Sequence, residues 1–253
     1  MRLKFFLTLV LAAAFLGACA GKGDTVTQVS TIDALLAGQY DGSLSLNELK
    51  KHGDFGIGTF DKLEGEMIVL DGHIYQAKAD GRISEPAESS TPFASVSFFR
   101  ADGEADVAES LNYDAFTKKA DGVAPDKNMF LAVKAQGKFH MMKFRSVPAQ
   151  IKPYPPLAEV VKTQSVYELK DVEGTIVGYR LPEYVKGLNV GGYHLHFIDK
   201  SGKTGGHILA FDMASGKIYT DRLNRLFLIL PETGLQGIDL SKDRAAELEK
   251  VEK

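Results

Sequence analysis

The chain has 253 residues, of which 44% are apolar, and a formal net charge of −3, which together indicate a globular protein rather than a disordered one. This mildly acidic balance lacks the basic footprint of nucleic-acid-binding proteins, so no nucleic-acid partner is expected. Cys19 is the only cysteine. A single cysteine excludes an internal disulfide and a thiolate-rich metal site, so any metal must be bound by nitrogen and oxygen ligands.

The first residues have the features of a signal peptide. Arg2 and Lys4 give a positive start, and the apolar stretch 5–16 is too short to span a membrane. Small residues then precede Cys19, as at a bacterial lipoprotein processing site, where the cysteine becomes lipidated and N-terminal. We therefore predict a lipoprotein signal peptide at 1–18, and the lipidated cysteine with a polar tether at 19–28. A generic signal peptide is the alternative.

Processing at this cysteine would leave about 235 residues with a net charge of −5, because the removed segment carries two bases and no acid. The predicted location is an exported, membrane-anchored lipoprotein on the periplasmic or extracellular face. Its contact with the membrane would be through the lipid anchor alone.

Residues 29–150 are predicted to form an N-terminal half in which short helices precede strands. A helix is expected at 29–38, and another at 45–53, where Ser45 and Glu48 have the capping-box spacing. Asp71-Gly72 has the composition of a type I′ hairpin turn between two apolar runs. Further strands are predicted at 93–99, 129–136 and 138–144, with a hinge at Gln136-Gly137 and a helix at 113–119.

A cluster of four prolines between 148 and 156 predicts a boundary with a C-terminal half, residues 151–253. This half has apolar runs typical of strands, followed by a charged tail of helical propensity. The predicted fold class is α+β and predominantly β, with two β-sheet-rich halves, mixed or antiparallel sheets and a few short helices. The strands of this half are predicted at 165–169, 174–180, 192–198, 206–213, 217–223 and 226–230.

Two histidines of this half, His194 and His196, are two residues apart in a run of strand character. They therefore project from one face of a pleated strand, roughly 7 Å apart at their Cα atoms. If the following turn is centred between Ser201 and Gly202, the register places His207 directly opposite His196. Three imidazoles would then converge on a hairpin, as a tetrahedral zinc site with an open fourth position requires.

A single histidine is more often a surface or core-edge side chain, and only the register of three favours a metal. A three-histidine site with an open position also suits a hydrolase or hydratase that uses zinc-bound hydroxide. A non-catalytic metal-binding lipoprotein is another interpretation. His52, His73 and His140 show no such relation and are interpreted as structural.

These residues lie in segments that resemble the bacterial α-acetolactate decarboxylase family, and the likeness runs from Val29 to the C-terminus. The resemblance implies a Zn²⁺ enzyme that converts α-acetolactate, the expected small-molecule substrate, to acetoin and CO₂. The metal would stabilise an enediolate that is then protonated stereospecifically. A homodimer is also implied. The segments that carry the resemblance are 30–35, 53–60, 63–66, 91–94, 145–148, 153–155, 192–197 and 205–207.

The resemblance also assigns residues. The zinc ligands fall on His194, His196 and His207. The family's acidic residue falls on Glu66, with Glu64 standing where the family usually has Asp, and its active-site arginine falls on Arg145. We predict that Glu66 delivers the proton and that Arg145 helps it and orients the departing carboxylate.

A family glutamate near the C-terminus falls on Glu252, as a zinc ligand, a second proton carrier or a lid. Glu247 and Glu249 in the same tail are alternatives to it. Thr59, on a strand near Glu66, is a predicted hydrogen-bonding residue for the substrate. Because Glu66 lies in the N-terminal half and the histidines lie in the C-terminal half, the active site should lie where the halves meet.

Overall fold

The computed structural model describes residues 24–252. The predicted signal peptide, Cys19 and the first residues of the tether lie outside the described residues. Within 24–252, no helix is both long enough and apolar enough to cross a membrane.

The described part of the chain is built mainly from strands, with short helices between them. The α-helices are α1 (Ile32–Leu36), α2 (Leu46–Leu49), α3 (Tyr113–Val123), α4 (Leu157–Val160) and α5 (Ala245–Glu252), and the short 3₁₀ helices are Asp61–Leu63, Val161–Thr163 and Glu183–Val185. The strands are β1 (Thr25–Val29), β2 (Leu44–Ser45), β3 (Phe55–Thr59), β4 (Glu66–Leu70), β5 (His73–Ala77), β6 (Ile83–Ser84), β7 (Ser90–Thr91), β8 (Ala94–Ser97), β9 (Gly103–Val107), β10 (Leu111–Asn112), β11 (Phe130–Ser146), β12 (Ser165–Leu181), β13 (Gly192–Asp199), β14 (Gly205–Leu223) and β15 (Arg225–Ile229).

Two large sheets contain most of these strands. The first sheet has seven strands in the order β15-β1-β8-β3-β4-β5-β6 and is mixed, because β1 and β15 run parallel while the others run antiparallel. The second sheet has the order β10-β14-β11-β12-β13, with β9 also paired to β14. Strand β13 pairs with β14 as well as with β12, so the strands β11 to β14 form a closed circuit. The predicted α+β, predominantly β fold class is confirmed.

The two sheets pack against each other through an apolar core. Phe55, Ile57 and Ile68 from the first sheet meet Val177 and Ile198 from the second. Burying each such side chain is worth roughly 1.5–3 kcal/mol, so this layer holds the sheets together. The residues that lie two positions away from these core residues point the same way, because side chains alternate along a strand.

Side chains alternate between the two faces of a strand, and the candidate site residues lie on the faces of β4 and β13 that point into the space between the sheets. Glu66 shares a face of β4 with Ile68, whereas Met67 and Val69 pack on the opposite side of the first sheet. On β13, His194 and His196 share a face with Ile198. The pattern of apolar residues therefore brings side chains of both sheets together.

Several local predictions are confirmed. The helices predicted at 29–38 and 45–53 are present but shorter, as α1 and α2. Helix α1 begins after Thr31, whose hydroxyl accepts a hydrogen bond from the Ala34 N–H at 3.2 Å, and α2 begins after Ser45, whose hydroxyl accepts one from the Glu48 N–H at 3.2 Å. The β4–β5 turn has φ of 51° at Asp71 and 82° at Gly72, both positive as in a type I′ turn. The helix predicted at 113–119 is α3.

The predicted hinge at Gln136-Gly137 is wrong, because β11 continues through it. Gly137 pairs with Gly174 of β12 and with Gly216 of β14, so three glycines lie side by side in adjacent strands. A Cβ at Gly137 would lie 2.1 Å from the Ser215 carbonyl oxygen. These glycines therefore allow close approach of strands. Strands β12 and β14 likewise continue past Gly174 and Gly216. The runs predicted at 165–169 and 174–180 are therefore one strand, β12, and those at 206–213 and 217–223 are one strand, β14.

The tether predicted to extend to residue 28 ends earlier, because Thr25–Val29 form strand β1 between β8 and β15. The sheets also do not follow the two halves of the chain. Strands β9 to β11 precede residue 150 but belong to the second sheet, and β15 belongs to the first. Each sheet therefore contains strands from both sides of the division predicted at residue 150.

The row of glycines predicts opposite effects of two alanine substitutions. Gly137→Ala should lower the free energy of unfolding by about 2 kcal/mol or more, because its Cβ would meet backbone. Gly122→Ala, in α3 with open space around the new Cβ, should raise the free energy of unfolding by about 0.5–1 kcal/mol. Denaturant titration of both variants tests this, and equal stability of the two would contradict the packing described.

Candidate active site and metal centre

The three predicted zinc histidines lie on the β13–β14 hairpin. His196 pairs with His207 in the register that the turn predicted. Asp199 fixes the turn, because its Oδ1 accepts hydrogen bonds from the N–H groups of Lys203 at 2.7 Å and Thr204 at 2.8 Å. The hairpin is thus a direct consequence of the local sequence.

The imidazoles converge on one point between the sheets. One ring nitrogen from each of His194, His196 and His207 lies within 4.8 Å of the others. His196 and His207 are 1% and 3% exposed. Three nitrogen donors, held together and away from water, have the composition of a transition-metal site.

One hydrogen bond decides which nitrogen of His196 faces the site. Nδ1 of His196 donates to the backbone carbonyl of Met67 at 2.9 Å, so the lone pair is on Nε2. This Nε2 is buried and has no hydrogen-bond partner. A buried acceptor without a partner is costly, and a bound cation would satisfy it.

Burial keeps these histidines neutral. Desolvation lowers the pKa of His194 to about 3 and moves the pKa values of His196 and His207 well below their usual range. The positive charge of Arg145 adds to the effect on all three. Neutral imidazole is the form that binds a metal, so no proton has to leave these rings at neutral pH.

Glu66 and Arg145 lie beside the histidines. Oε2 of Glu66 is 3.7 Å from His196 Nε2, and Oε1 of Glu66 is 3.8 Å from Nη1 of Arg145. Burial raises the pKa of Glu66 to about 7, although Arg145 opposes the shift. A carboxyl group with this pKa exchanges its proton near neutral pH.

The C-terminal helix completes the site. Oε2 of Glu252 lies 3.9 Å from Nε2 of His207, and burial raises the pKa of Glu252 to about 7. The carbonyl of Val251 accepts a hydrogen bond from Nη2 of Arg145 at 2.9 Å. Glu247 points elsewhere, since it pairs with Arg244 at 2.9 Å.

Thr59 lines the same cavity but uses its hydroxyl within the protein. Its Oγ1 donates to the Gly65 carbonyl at 2.7 Å, and the residue is 4% exposed. In this arrangement the hydroxyl oxygen can only accept a further hydrogen bond. The substrate contact predicted for Thr59 stays a prediction.

The cavity that these residues enclose is small, about 40 Å³, close to the room that one water occupies. Its apolar walls include Leu35, Leu63 and Leu157, and α5 closes one side with Val251 and Glu252. Helix α5 is therefore part of the wall that a substrate would contact.

The structure brings together all the predicted site residues that it describes, from both sheets. Sequence reasoning missed the carbonyl groups of Met67 and Val251, which orient His196 and Arg145. Every residue has a carbonyl group, so no side-chain pattern could have pointed to these two.

Most of the chain is similar to known proteins. The sequence profile described as alpha-acetolactate decarboxylase matches residues 26–236. The alpha-acetolactate decarboxylase of Methanosarcina mazei is 50% identical over 91% of this chain and 81% of its own length, and that of Bacillus licheniformis is 39% identical over 90% and 92%.

Solved structures give the same result. The crystal structure of alpha-acetolactate decarboxylase from Bacillus subtilis strain 168 superposes with a TM-score of 0.88 at 37% identity, covering 90% of this chain and 99% of that one. A Staphylococcus aureus protein of unknown function, described as similar to alpha-acetolactate decarboxylase, superposes with a TM-score of 0.85 at 30% identity over 89% and 99%. Because sequence and structure agree over nine-tenths of its length, this chain belongs to the alpha-acetolactate decarboxylase family.

Proposed function

We propose that this protein is a zinc-dependent enzyme that converts α-acetolactate, 2-hydroxy-2-methyl-3-oxobutanoate, to acetoin and CO₂. The observation that carries the proposal is one cavity lined by three histidines, Glu66 and Arg145 in a member of this family, with His196 and His207 buried and His194 partly buried.

The residues present fit a zinc ion. Three neutral imidazoles would hold it, His196 has a buried Nε2 without a partner, and nearby carboxylates could balance part of the charge. Zinc in this place would supply a Lewis acid that stabilises the negative charge developing on the ketone oxygen as CO₂ leaves, an effect worth several kcal/mol.

The reaction breaks the bond between the carboxylate carbon and the carbon that bears the hydroxyl. The electron pair of that bond stays with the substrate, and a proton must then be added to the same carbon to give acetoin. The protein therefore has to hold the carboxylate, exclude bulk water and deliver one proton to one face.

Arg145 is placed to hold the carboxylate. Its side chain is 4% exposed and lines the cavity, and its Nε is buried without a hydrogen-bond partner. A guanidinium group binds carboxylates through charge-assisted hydrogen bonds. One bond to the Val251 carbonyl already fixes its orientation.

Glu66 is placed to deliver the proton. Its carboxyl group is buried beside the histidines, and in the absence of a metal its pKa is about 7, so it can hold a proton that an ordinary exposed glutamate would have lost at neutral pH. One oxygen of this carboxyl group, Oε2, lies 3.7 Å from Nε2 of His196. Delivery from this fixed side would make the acetoin chiral.

Glu252 keeps the three roles predicted for it, and its place beside His207 in the cavity wall supports them. Proximity of Glu66 and Arg145 to the histidines argues against a purely metal-binding protein. A zinc-hydroxide hydrolase would use the same three histidines, and the membership in this family favours decarboxylation over it.

A homodimer is part of the proposal. Strand β15 lies at the end of the first sheet and exposes Phe227 by 51%, with Leu230 beyond it exposed by 53%. Apolar side chains at a sheet edge favour pairing with another chain. Light scattering of the purified protein would give the mass of a dimer, and the mass of one chain would contradict this.

Export and lipid anchoring through Cys19 are also part of the proposal, supported by the N-terminal sequence. Cys19→Ala should abolish incorporation of labelled fatty acid and release the protein from the membrane fraction. Unchanged labelling of the variant would contradict anchoring at this residue.

A direct experiment tests the reaction. Zinc-loaded protein is incubated with racemic acetolactate while acetoin and CO₂ are followed, and the assay is repeated after chelation and after zinc is restored. The proposal expects equal amounts of both products and loss of activity on chelation. Absence of acetoin, or full activity without metal, would overturn it.

Replacing Glu66 by glutamine should lower turnover by about 10²–10⁴-fold, because the group that donates the proton is lost, while bound zinc stays near the wild-type level. Glu64→Gln is the matched control, since this glutamate is two residues away and pairs with Lys78 at 3.0 Å outside the cavity. Comparable turnover in the two variants would exclude Glu66 as the proton donor.

His207→Gln should weaken zinc binding by about 100-fold or more, because one of three nitrogen donors is lost. His140→Gln should bind zinc like the wild type, since His140 lies at the surface 3.7 Å from Asp171. Zinc titration against a competing chelator measures both. If His207→Gln retained the wild-type affinity, the metal would have to lie elsewhere.

A further inference from the structure

Arg145 and Ser146 at the end of β11, and Val147 directly after it, contact the first sheet at Glu66 and its neighbours. Arg145 places Nη1 3.8 Å from Oε1 of Glu66, and the carbonyl of Val147 accepts a hydrogen bond from Gly65 N–H at 3.1 Å. Between them, Oγ of Ser146 donates to the carbonyl of Ala77 at 2.7 Å. The end of β11 is thus fastened to the β4–β5 pair at each successive residue.

The Ser146 contact is made directly behind Glu66. Ala77 is the cross-strand partner of Glu66 in the β4–β5 hairpin. Ser146 is completely buried, and it does not line the cavity, whereas Arg145 and Val147 do. Because successive side chains of a strand point to opposite faces, Ser146 makes its hydrogen bond to Ala77 on the face of the chain that points away from the cavity.

We propose that Ser146 is a positioning residue for the reaction, which fixes the distance between Arg145 and Glu66 by tying β11 to the strand that pairs with Glu66. This inference rests on the proposed function. Arg145 and Glu66 come from different sheets, so their separation depends on how the sheets dock at this point. The hydroxyl of Ser146 makes its contact next to Arg145 in sequence and on the strand partner of Glu66, outside the cavity lining.

The surrounding backbone leaves little freedom for another arrangement. Gly65 has a φ of 81°, and a Cβ at this position would lie 2.3 Å from the Ala77 carbonyl oxygen. The carbonyl that Ser146 binds therefore lies in a tight crossing of chains. Loss of the Ser146 hydroxyl would release one side of this crossing and let Arg145 shift relative to Glu66.

The chain offers a matched control in Tyr167. Its hydroxyl donates to the Ala79 carbonyl at 2.7 Å, so it also ties the second sheet to the chain just past β5. Tyr167 stacks on Phe144, and Tyr167→Phe keeps that packing while it removes the hydroxyl. The two variants remove similar bonds, one beside Arg145 and one farther away.

Ser146→Ala should lower kcat about tenfold with a smaller change in KM, because small misplacement of reacting groups slows the chemical step. Tyr167→Phe should keep kcat near the wild-type value. In an Arg145→Gln background, Ser146→Ala should cause no further loss, because its effect passes through Arg145. Equal kcat in Ser146→Ala and Tyr167→Phe, or additive losses with Arg145→Gln, would overturn the inference.

Crystal structures of the two variants give a result that does not depend on activity. Ser146→Ala should move Arg145 away from Glu66, and Tyr167→Phe should not. An unchanged separation in Ser146→Ala would overturn the positioning role even if the protein proved inactive on acetolactate. Ser146→Cys, which fills the position with a somewhat larger thiol that donates only weakly, replaces the alanine variant if that fails to fold, with the same expectations.

Discussion

The hydrogen bond from Nδ1 of His196 to the Met67 carbonyl joins the two sheets at the place where the chemistry is proposed. It sets the orientation of one ring and leaves its Nε2 facing the cavity without a partner. Met67 directly follows Glu66, so the same short stretch of β4 orients a histidine and supplies a carboxyl group. The distance between Glu66 and the histidines therefore depends on the docking of one strand against one hairpin.

Apolar packing between the sheets maintains that docking, and it also sets the positions of the polar site residues, which lie on the same strands. Ile68 and Ile198 are buried in the layer between the sheets, and the alternation of each strand turns Glu66 and His196 into the same layer. Burial then changes their chemistry, because a dry environment disfavours charge. The carboxyl group of Glu66 gains a pKa of about 7 and His194 a pKa of about 3. One packing arrangement thus gives both the proposed proton donor and the proposed metal ligands the protonation states that their roles would need.

Local features of the fold could be predicted from the sequence, and distant pairings could not. The turn residues after His196 fix the register with His207, and Asp71-Gly72 fixes the β4–β5 hairpin, because both depend on neighbours in the chain. Gly137 was misleading, since a glycine inside a strand and a glycine in a turn look alike in sequence. The pairing of Val26 with Leu226 joins residues 200 positions apart, and no pattern of neighbouring residues in the sequence predicts it. Among the site residues, Glu66 and Arg145 were found through the family resemblance, whereas Ser146 became visible only through its contact with Ala77.

The proposed reaction depends most on a metal held by the β13–β14 hairpin beside Glu66. Zinc-edge X-ray absorption of the loaded protein measures the atoms around that metal directly. The account predicts three imidazole nitrogens at about 2.0–2.1 Å, with the remaining positions taken by oxygen. A first shell with fewer than three imidazoles, or one unchanged when His207 is replaced by glutamine, would contradict it.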